Sequence, residues 1–394
     1  MQALSGVRVV DLTRVMTGPY ATMLLGDMGA DVVKIEQPGK GDDTRAWGPP
    51  FIGDQSAYYL SVNRNKRGIT LNLKHEAARE ALWKLIDQAD VVVENFSPGT
   101  AKRLGFGYEA VRARCPNIVY CSISGFGQQG PEHDRVAYDQ IIQGMSGLMS
   151  VTGSEDGPPT RYGVPIADIA AGMFAAYAIV SALFSRERTG QGQYIDTSML
   201  GGMVALLTYQ AGIYFGSGDA PGRTGNAHPI VAPYQTFRSQ DGYVNVAAGN
   251  EGIYRRFCAA MGLERLLDDP RFQDNVGRIT NRAALAGEIE DTLQRFTTAE
   301  IVARLDQADV PCGPIYTVPE VFANPQAEYY QLRRRVPHPT LGEVDQTGFP
   351  YLLSETPCEI RLAPPLLGQH TAEVLGELGY DQARIAAMRD GGAI

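Results

Sequence analysis

The first third of the chain alternates short runs of Val and Ile with helical patterns, and this alternation constrains the fold more than any other feature. The predicted strands are 7–12, 31–36, 89–94 and 117–122, and the predicted helices are 20–28, 76–88 and 100–104. Apolar strands separated by helices are typical of a parallel sheet covered on both faces. The sequence therefore predicts an α/β fold with a Rossmann-like, doubly wound sheet.

Changes in composition predict a second, smaller domain. We predict a large domain over 1–215, whose part from about 138 is helical and apolar. A segment rich in Gly, Pro, Asn and Asp follows at 216–233 and is typical of a linker or a substrate loop. Residues 234–324 read as a small α+β domain, with a strand pair at 234–237 and 242–246 and helices at 254–261, 282–295 and 298–307. The C-terminal segment, 325–394, has many prolines and a predicted helix at 372–378.

Charge and cysteine content exclude several classes of function. With 35 Lys+Arg against 44 Asp+Glu, the net charge is −9, which argues against nucleic acid as a partner. The five cysteines are odd in number, widely spread and free of C-x-x-C spacing, as in proteins of a reducing compartment. Together with the absence of paired histidine motifs, they predict no metal site. The start of the sequence lacks a signal-peptide pattern, so we expect a cytoplasmic protein.

Two apolar stretches, 166–184 and 198–215, approach the length that crosses a bilayer. Both are rich in Ala, Gly, Ser, Thr and Tyr, and neither has flanking aromatic belts. We therefore interpret them as buried core helices and expect no membrane partner.

A G-x-G-x-x-G pattern at 125–130 follows a predicted strand. A dinucleotide fingerprint must also open a helix, whose N-terminus holds the pyrophosphate. Here Pro131 and a loop follow, so the glycines indicate a turn rather than a dinucleotide site.

Asp168 is the only charge between Arg161 and Arg186, at the start of an apolar helix. One interpretation is a helix N-cap, for which Asp is a preferred residue. The other is a carboxylate nucleophile, poorly solvated among apolar neighbours. Separately, cations near presumed strand ends could together form an anion site; they are Arg64, Lys66, Arg67, Lys74, Lys102, Arg103 and Arg135.

Motifs along the chain resemble those of the family III CoA-transferases. This family includes the formyl-CoA and carnitine CoA-transferases and is related to the alpha-methylacyl-CoA racemases. The resemblance covers nearly the whole chain. The matching segments are 11–19 (DLTRVMTGP), 25–36 (LGDMGADVVKIE), 63–67 (NRNKR), 71–74 (LNLK), 94–99 (ENFSPG), 124–127 (SGFG), Tyr138-Asp139, Asp168 with its helix, and 188–192 (RTGQG).

The resemblance implies a fold beyond what the residues alone predict. A Rossmann-like large domain would combine the N-terminal part with the returning C-terminal segment. Two subunits would thread through each other as an interlocked homodimer.

The resemblance also implies an activity: CoA moves from an acyl-CoA donor to a carboxylic acid acceptor through a covalent aspartyl-CoA thioester. Asp168 matches the nucleophile, and coenzyme A enters as substrate, with no permanently bound cofactor. The implied CoA-binding residues are Val15, Met16, Leu71, Lys74, Asn95, Phe96, Ser97, Arg103, Arg135, Tyr138 and Asp139. The implied substrate residues are Tyr58, Gly225, Asn226 and His228.

Two alternatives stay open from the sequence. An acyl-CoA racemase on the same scaffold would pair its Asp with a His in a G-H-D segment, which here reads Ala137-Tyr138-Asp139. A nucleotide-binding protein without catalysis would use Asp168 only as a cap. Among transferases, succinyl-CoA or another dicarboxylyl-CoA is an expected donor, with Arg45, Arg64 or His228 as candidates for its second carboxylate.

Overall fold

The computed structural model describes all 394 residues, which divide into two compact units. The large unit comprises Met1–Leu148, Tyr162–Phe215 and Gln326–Ile394, and the small unit comprises Met149–Arg161 and Gly216–Pro325. The predicted large domain, 1–215, includes residues 149–161, which the structure assigns to the small unit; the predicted linker or substrate loop, 216–233, also belongs to the small unit. Two hydrogen bonds connect these segments: Gly225 N–H donates to Gly153 O at 3.0 Å, and the Arg223 side chain donates through Nη2 to Gly157 O at 2.8 Å.

The strands and helices have the following bounds. The strands are β1 Arg8–Asp11, β2 Asp31–Glu36, β3 Phe51–Ile52, β4 Gln55–Ser56, β5 Lys66–Thr70, β6 Val91–Glu94, β7 Val119–Ser124, β8 Tyr194–Ser198, β9 Tyr234–Arg238, β10 Tyr243–Ala247, β11 Cys312–Pro314, β12 Arg333–His338 and β13 Gly342–Thr347. The α-helices are α1 Thr17–Asp27, α2 Ala57–Ser61, α3 Glu76–Ile86, α4 Thr100–Arg103, α5 Tyr108–Arg114, α6 Asp139–Met145, α7 Ile166–Thr189, α8 Met199–Leu206, α9 Thr208–Ser217, α10 Glu251–Met261, α11 Arg265–Asp268, α12 Asn275–Thr280, α13 Arg282–Leu293, α14 Thr298–Gln307, α15 Val318–Phe322, α16 Pro325–Tyr329, α17 Thr371–Glu377 and α18 Gln382–Asp390.

The large unit is built on a six-stranded parallel sheet with strand order β5-β2-β1-β6-β7-β8. The four predicted strands are confirmed as β1, β2, β6 and β7. The sequence reading missed β5 and β8, which are the two edge strands. Their charged and polar residues obscure the strand pattern, as is common at sheet edges.

Side chains alternate between the two faces of this sheet. Val9, Val32 and Val91 pack with residues of α1 and α7, while Val10 and Val33 pack with residues of α3 and α17. The chain leaves β1 and β6 in opposite directions across the sheet, so their carboxyl ends border the point where the strand order reverses. Open α/β sheets bind their ligands in that crevice.

Helix α7 has a buried face and an exposed one. Ala171, Ala175 and Ile179 are buried, whereas Tyr177 is 74% exposed and Phe184 is 58% exposed. By length and composition α7 could cross a bilayer, but half of its most apolar stretch is buried in the protein. Helices α8 and α9 meet at a 72° bend, and α9 has no buried residue. The interpretation as buried core helices is therefore confirmed only for the inward face of α7 and part of α8, and α9 is uncovered in a single chain.

The small unit packs helices on a three-stranded antiparallel sheet with order β11-β10-β9. Phe237, Val244 and Phe257 are buried in its core. The predicted strand pair is confirmed, as are the helices α10, α13 and α14. In the C-terminal segment the predicted helix is α17, and the β12–β13 hairpin and α18 were missed.

Candidate active site

Asp168 lies in the first turn of α7, as the third helical residue after Pro165. The N-cap interpretation is wrong, because Pro165 occupies the cap position and contributes no side-chain hydrogen bond to the helix. Instead, the carboxylate of Asp139 accepts the Ala167 N–H at 2.8 Å. Asp168 therefore does not act as the N-cap of α7.

Asp139 is engaged in a structural network. Its second oxygen accepts a hydrogen bond from Gln143 Nε2 at 2.6 Å, and the buried Gln143 accepts the Tyr162 N–H at 2.8 Å. Both carboxylate oxygens of Asp139 thus hold the segment that leads into α7. The expected contact of Asp139 with CoA has no support in this arrangement, since Asp139 lines neither cavity described below.

Helix α1 supplies the direct partner of Asp168. The Thr17 hydroxyl donates a hydrogen bond to Asp168 Oδ1. Burial raises the pKa of Asp168 to about 6, with a smaller contribution from the charge of Asp139 and an opposing one from the Thr17 hydrogen bond. This carboxyl group therefore titrates close to neutral pH.

Asp168 opens onto a small cavity of about 180 Å³. Its lining is Arg14, Val15, Thr17, Asp43, Asn95, Phe96, Ser97, Pro98, Ile123, Ser124, Gly125, Asp134, Arg135, Val136, Ala137, Tyr138, Asp168 and Met199. A larger cavity of about 640 Å³ is lined by Leu12, Thr13, Arg14, Ile35, Glu36, Gln37, Lys40, Gly41, Asp42, Asp43, Leu71, Asn72, Leu73, Lys74, Phe96, Thr100 and Leu104. We call these the catalytic cavity and the strand-end cavity; they adjoin, because Arg14, Asp43 and Phe96 line both.

The strand-end cavity lies at the carboxyl ends of β1, β2, β5 and β6, as expected for a doubly wound sheet. Two reciprocal hydrogen bonds bridge the reversal point of the strand order. Arg14 N–H donates to Asn95 Oδ1 at 2.9 Å, and Asn95 Nδ2 donates to Arg14 O at 2.8 Å. The Arg14 backbone is therefore fixed, while its half-exposed guanidinium is only loosely paired with Asp43 at 3.7 Å.

Buried ion pairs lie beneath the β1–α1 loop. Lys34 Nζ is 2.9 Å from Asp42, and Lys66 Nζ is 3.2 Å from Asp11, with all four side chains fully buried. Burial opposes these charges, yet Lys34 holds the pKa of Asp42 below its usual value, while burial lowers the pKa of Lys66 to about 8. Asp42 also accepts the N–H of Val15, a β-branched residue in the left-handed region at φ 69°. The network thus stabilises a strained turn at the cavity wall.

Most of the expected CoA residues surround the two cavities. Val15, Asn95, Phe96, Ser97, Arg135 and Tyr138 line the catalytic cavity, and Leu71, Lys74 and Phe96 line the strand-end cavity. Met16 is buried and lines neither. Arg103 also lines neither, and its Nη2 donates to Thr100 Oγ1 at 2.6 Å.

Several cations expected to bind anions are committed elsewhere. Lys66 and Arg67 lie within β5 rather than on a loop. The buried Arg64 forms paired hydrogen bonds with Asp27, the shortest at 2.7 Å. Arg45 binds Glu36 at 2.6 Å. The proposal that Arg45 or Arg64 binds a substrate carboxylate is therefore wrong, because these cations already offset buried carboxylates.

The expected substrate residues lie in both units. Tyr58, in the large unit, is half-buried, and its pKa is raised by burial and by the charges of Asp168 and Asp139. Gly225, Asn226 and His228 belong to the small unit, where Asn226 lines a cavity beside the three-stranded sheet. The His228 ring stacks on Tyr234 with centroids 5.1 Å apart.

Three cavity residues with a candidate role in binding or catalysis were not identified from the sequence. Arg14 and Lys40 line the strand-end cavity, and Thr17 contacts Asp168. Arg14 and Thr17 stand in the 11–19 motif, which marked the segment without distinguishing these side chains. Lys40 lies in the Pro-Gly-Lys-Gly segment that follows β2. Its position just beyond the end of a predicted strand was the sequence signal that could have identified it.

Comparisons with known proteins agree with this geometry. Residues 4–371 match the model of CoA-transferase family III, and the chain belongs to that family. It is therefore a transferase enzyme, of a class whose substrates are CoA thioesters. The Mus musculus succinyl-CoA:glutarate CoA-transferase is 42% identical, covering 100% of this chain and 91% of its own. The Acetobacter aceti acetyl-CoA:oxalate CoA-transferase is 44% identical over 82% of each chain.

A solved structure has the same fold. The crystal structure of a CAIB/BAIF family protein from Brucella suis aligns with a TM-score of 0.86 at 41% identity. The alignment covers 96% of this chain and 99% of that one.

Proposed function

We propose that the protein transfers CoA from succinyl-CoA, or another dicarboxylyl-CoA, to a dicarboxylic acid through a covalent thioester on Asp168. The observation that carries this proposal is the partly buried Asp168 carboxylate, which opens onto a cavity that adjoins a second one at the strand ends. A carboxylate held among apolar groups is a recognised covalent nucleophile.

The reaction proceeds through two exchanges at Asp168. Its carboxylate attacks the donor thioester carbonyl, which gives a mixed anhydride and the CoA thiolate. The thiolate attacks the aspartyl carbonyl, releases the donor acid and leaves an aspartyl-CoA thioester. The acceptor carboxylate then reverses these steps. Because CoA remains bound in the strand-end cavity, each step is effectively unimolecular.

Charge placement supports CoA in the strand-end cavity. Lys74, Lys40 and Arg14 line it together with Glu36, Asp42 and Asp43. Lys40 and Arg14 both pair with Asp43, whereas Lys74 forms no ion pair, and cationic hydrogen bonds to phosphate are strong. The chain has a net charge of −9, so anion binding here depends on the position of such cations rather than on overall charge.

The relatives support the dicarboxylic substrates. The mouse relative is named for succinyl-CoA and glutarate, and the Acetobacter relative for oxalate. No histidine lines the catalytic cavity, so the histidine base of the related racemases has no counterpart among its lining residues.

A transfer assay tests the substrate class. The enzyme is given succinyl-CoA with glutarate, oxalate or the matched monocarboxylate butyrate, and each new acyl-CoA is quantified by chromatography. We expect transfer to a dicarboxylate at least tenfold faster than to butyrate. Equal use of butyrate would contradict the dicarboxylate assignment, and incorporation of deuterium at the acyl α-carbon without transfer would indicate a racemase.

We also propose a homodimer, interlocked as the family resemblance implies. The exposed apolar side chains of α7–α9 support it, since Tyr177 and Phe215 are 74% and 80% exposed. Light scattering on the purified protein should give the mass of two chains, and a monomer at micromolar concentration would contradict the proposal.

A further inference from the structure

The hydroxyl of Thr17 is the one protein group that donates a hydrogen bond to Asp168. It reaches Oδ1 only, and Oδ2 receives no hydrogen bond from the protein. Both residues line the catalytic cavity. The two oxygens of the proposed nucleophile are therefore inequivalent before any substrate binds.

From this inequivalence, and resting on the proposed function, we infer that Thr17 is a catalytic residue: it leaves Oδ2 free to attack the thioester and stabilises the oxyanion that forms on Oδ1. This oxyanion forms in the step in which the CoA thiolate attacks the aspartyl carbon.

The atoms balance as follows. Oδ2 bonds to the acyl carbon, the carbon–sulfur bond breaks, and the thiolate leaves with the electron pair. The thiolate then bonds to Cγ of Asp168, and the Cγ=Oδ1 pair moves onto Oδ1. When the carbonyl re-forms, the Cγ–Oδ2 bond breaks, and the donor acid leaves as a carboxylate that carries Oδ2. Thr17 keeps its proton throughout.

The hydrogen bond from Thr17 grows stronger at the transition state. In the resting carboxylate one negative charge is shared by two oxygens, and in the anhydride Oδ1 is a neutral carbonyl oxygen. In the tetrahedral adduct Oδ1 bears the whole charge. An interaction that is strongest in the transition state raises the rate of that step.

The backbone holds Thr17 in place for this task. Thr17 begins α1, and Gly18 follows so close to Thr13 that a Cβ atom there would lie 2.3 Å from Thr13 Cβ. Thr13 Oγ1 in turn donates to the buried Asp11 at 2.5 Å. The donor is therefore preorganised, which is the property that makes oxyanion donors effective.

The test compares Thr17→Val, which removes the hydroxyl at nearly constant shape, with Thr17→Ser, which keeps it. Thr280→Val, on an exposed turn of α12, is the matched control. Formation of the enzyme–CoA adduct in a single turnover is followed by intact-protein mass spectrometry, and kcat/KM is measured from pH 5 to 9.

We expect Thr17→Val to slow adduct formation about 100-fold, the usual loss for one oxyanion donor. The acid limb of its kcat/KM profile should move to higher pH, because the carboxylate loses a hydrogen bond that favours ionisation. Thr17→Ser should stay within a few-fold of the wild type, and Thr280→Val should match it.

Three outcomes would overturn the inference. An unchanged rate and pH profile for Thr17→Val would show that the hydroxyl is dispensable. Equal losses in Thr17→Ser and Thr17→Val would assign the effect to packing. A wild-type enzyme that transfers CoA without any adduct on Asp168 would overturn the proposed mechanism as well, whereas a normal wild-type adduct confines the failure to Thr17.

Discussion

Gly172 lies one turn of α7 beyond Asp168, where an added Cβ atom would come within 2.7 Å of the Thr17 carbonyl oxygen. The missing side chain lets α7 approach α1, and this approach brings Asp168 to the Thr17 hydroxyl. A contact between residues 151 positions apart in the sequence thus depends on one glycine in an apolar helix.

Gly172→Ala should separate the two helices at that point. We expect a loss of about 1–3 kcal/mol in the free energy of unfolding, typical of overpacking, together with a marked fall in transfer rate. Urea titration and the transfer assay measure the two effects. Gly287→Ala is the control, because Gly287 lies in α13 with open space at its Cβ position; it should be neutral or stabilise by up to about 1 kcal/mol. A fully active, stable Gly172→Ala would refute the close-approach argument.

Asp168→Asn should stabilise the fold at neutral pH while abolishing transfer. With the native pKa raised from 3.8 to about 6, the ionised carboxylate destabilises the native state above that pH by about 3 kcal/mol. Well below the ordinary pKa of 3.8 the carboxyl is protonated in both folded and unfolded chains, so this penalty disappears. The stability gain of the variant should therefore grow between pH 4 and pH 6. Urea titrations across this range check it, and a gain independent of pH would count against the raised pKa.

Val15 provides a test of strain at the cavity wall. Its φ of 69° is costly for a β-branched residue and natural for glycine. Val15→Gly and Val15→Ala both remove the side chain, but only glycine relieves the backbone. We expect Val15→Gly to be more stable than Val15→Ala by about 1 kcal/mol, the reverse of the usual order. Alanine being the more stable of the two would show that this backbone conformation is not populated.

Lys74→Gln should weaken binding of the acyl-CoA substrate. If its ammonium contacts a CoA phosphate, its loss raises KM for the donor about tenfold and leaves KM for the acceptor acid unchanged. Lys84→Gln, a change at a half-exposed lysine of α3 that lines neither cavity, is the control. Steady-state kinetics separate the two constants. An equal rise in both KM values, or none, would remove Lys74 from the CoA site.

The sequence predicted the four interior strands of the parallel sheet and missed its two edge strands. Strands β1, β2 and β6 can be recognised because adjacent valines fill both of their faces, and β7 because successive residues from Val119 to Ile123 are buried. Strand β5 begins Lys66-Arg67, and its burial of Lys66 depends on Asp11, a partner that only the folded sheet supplies. Local patterns carry no information about such long-range charge pairs, so β5 was missed and its cations were assigned to a loop.

The residues of the candidate site likewise divide into those that the sequence identified and those that it did not. Asp168 could be singled out because it is isolated among apolar residues, and the motif positions of Asn95 and Lys74 placed them near a cavity. The role of Asp139 could not be foreseen, because it depends on the Ala167 N–H and the Gln143 amide meeting one carboxylate. The Thr17 contact likewise requires the packing of two helices.

In the proposed reaction, Asp168 becomes covalently bound to CoA during transfer. The direct measurement is to mix the enzyme with succinyl-CoA, trap the aspartyl-CoA thioester with hydroxylamine or borohydride, digest the protein and map the modified peptide by mass spectrometry. We predict a single modification at Asp168, absent from a folded Asp168→Ala protein that no longer transfers CoA. An unmodified Asp168 peptide during active turnover, or full transfer by Asp168→Ala, would contradict the account.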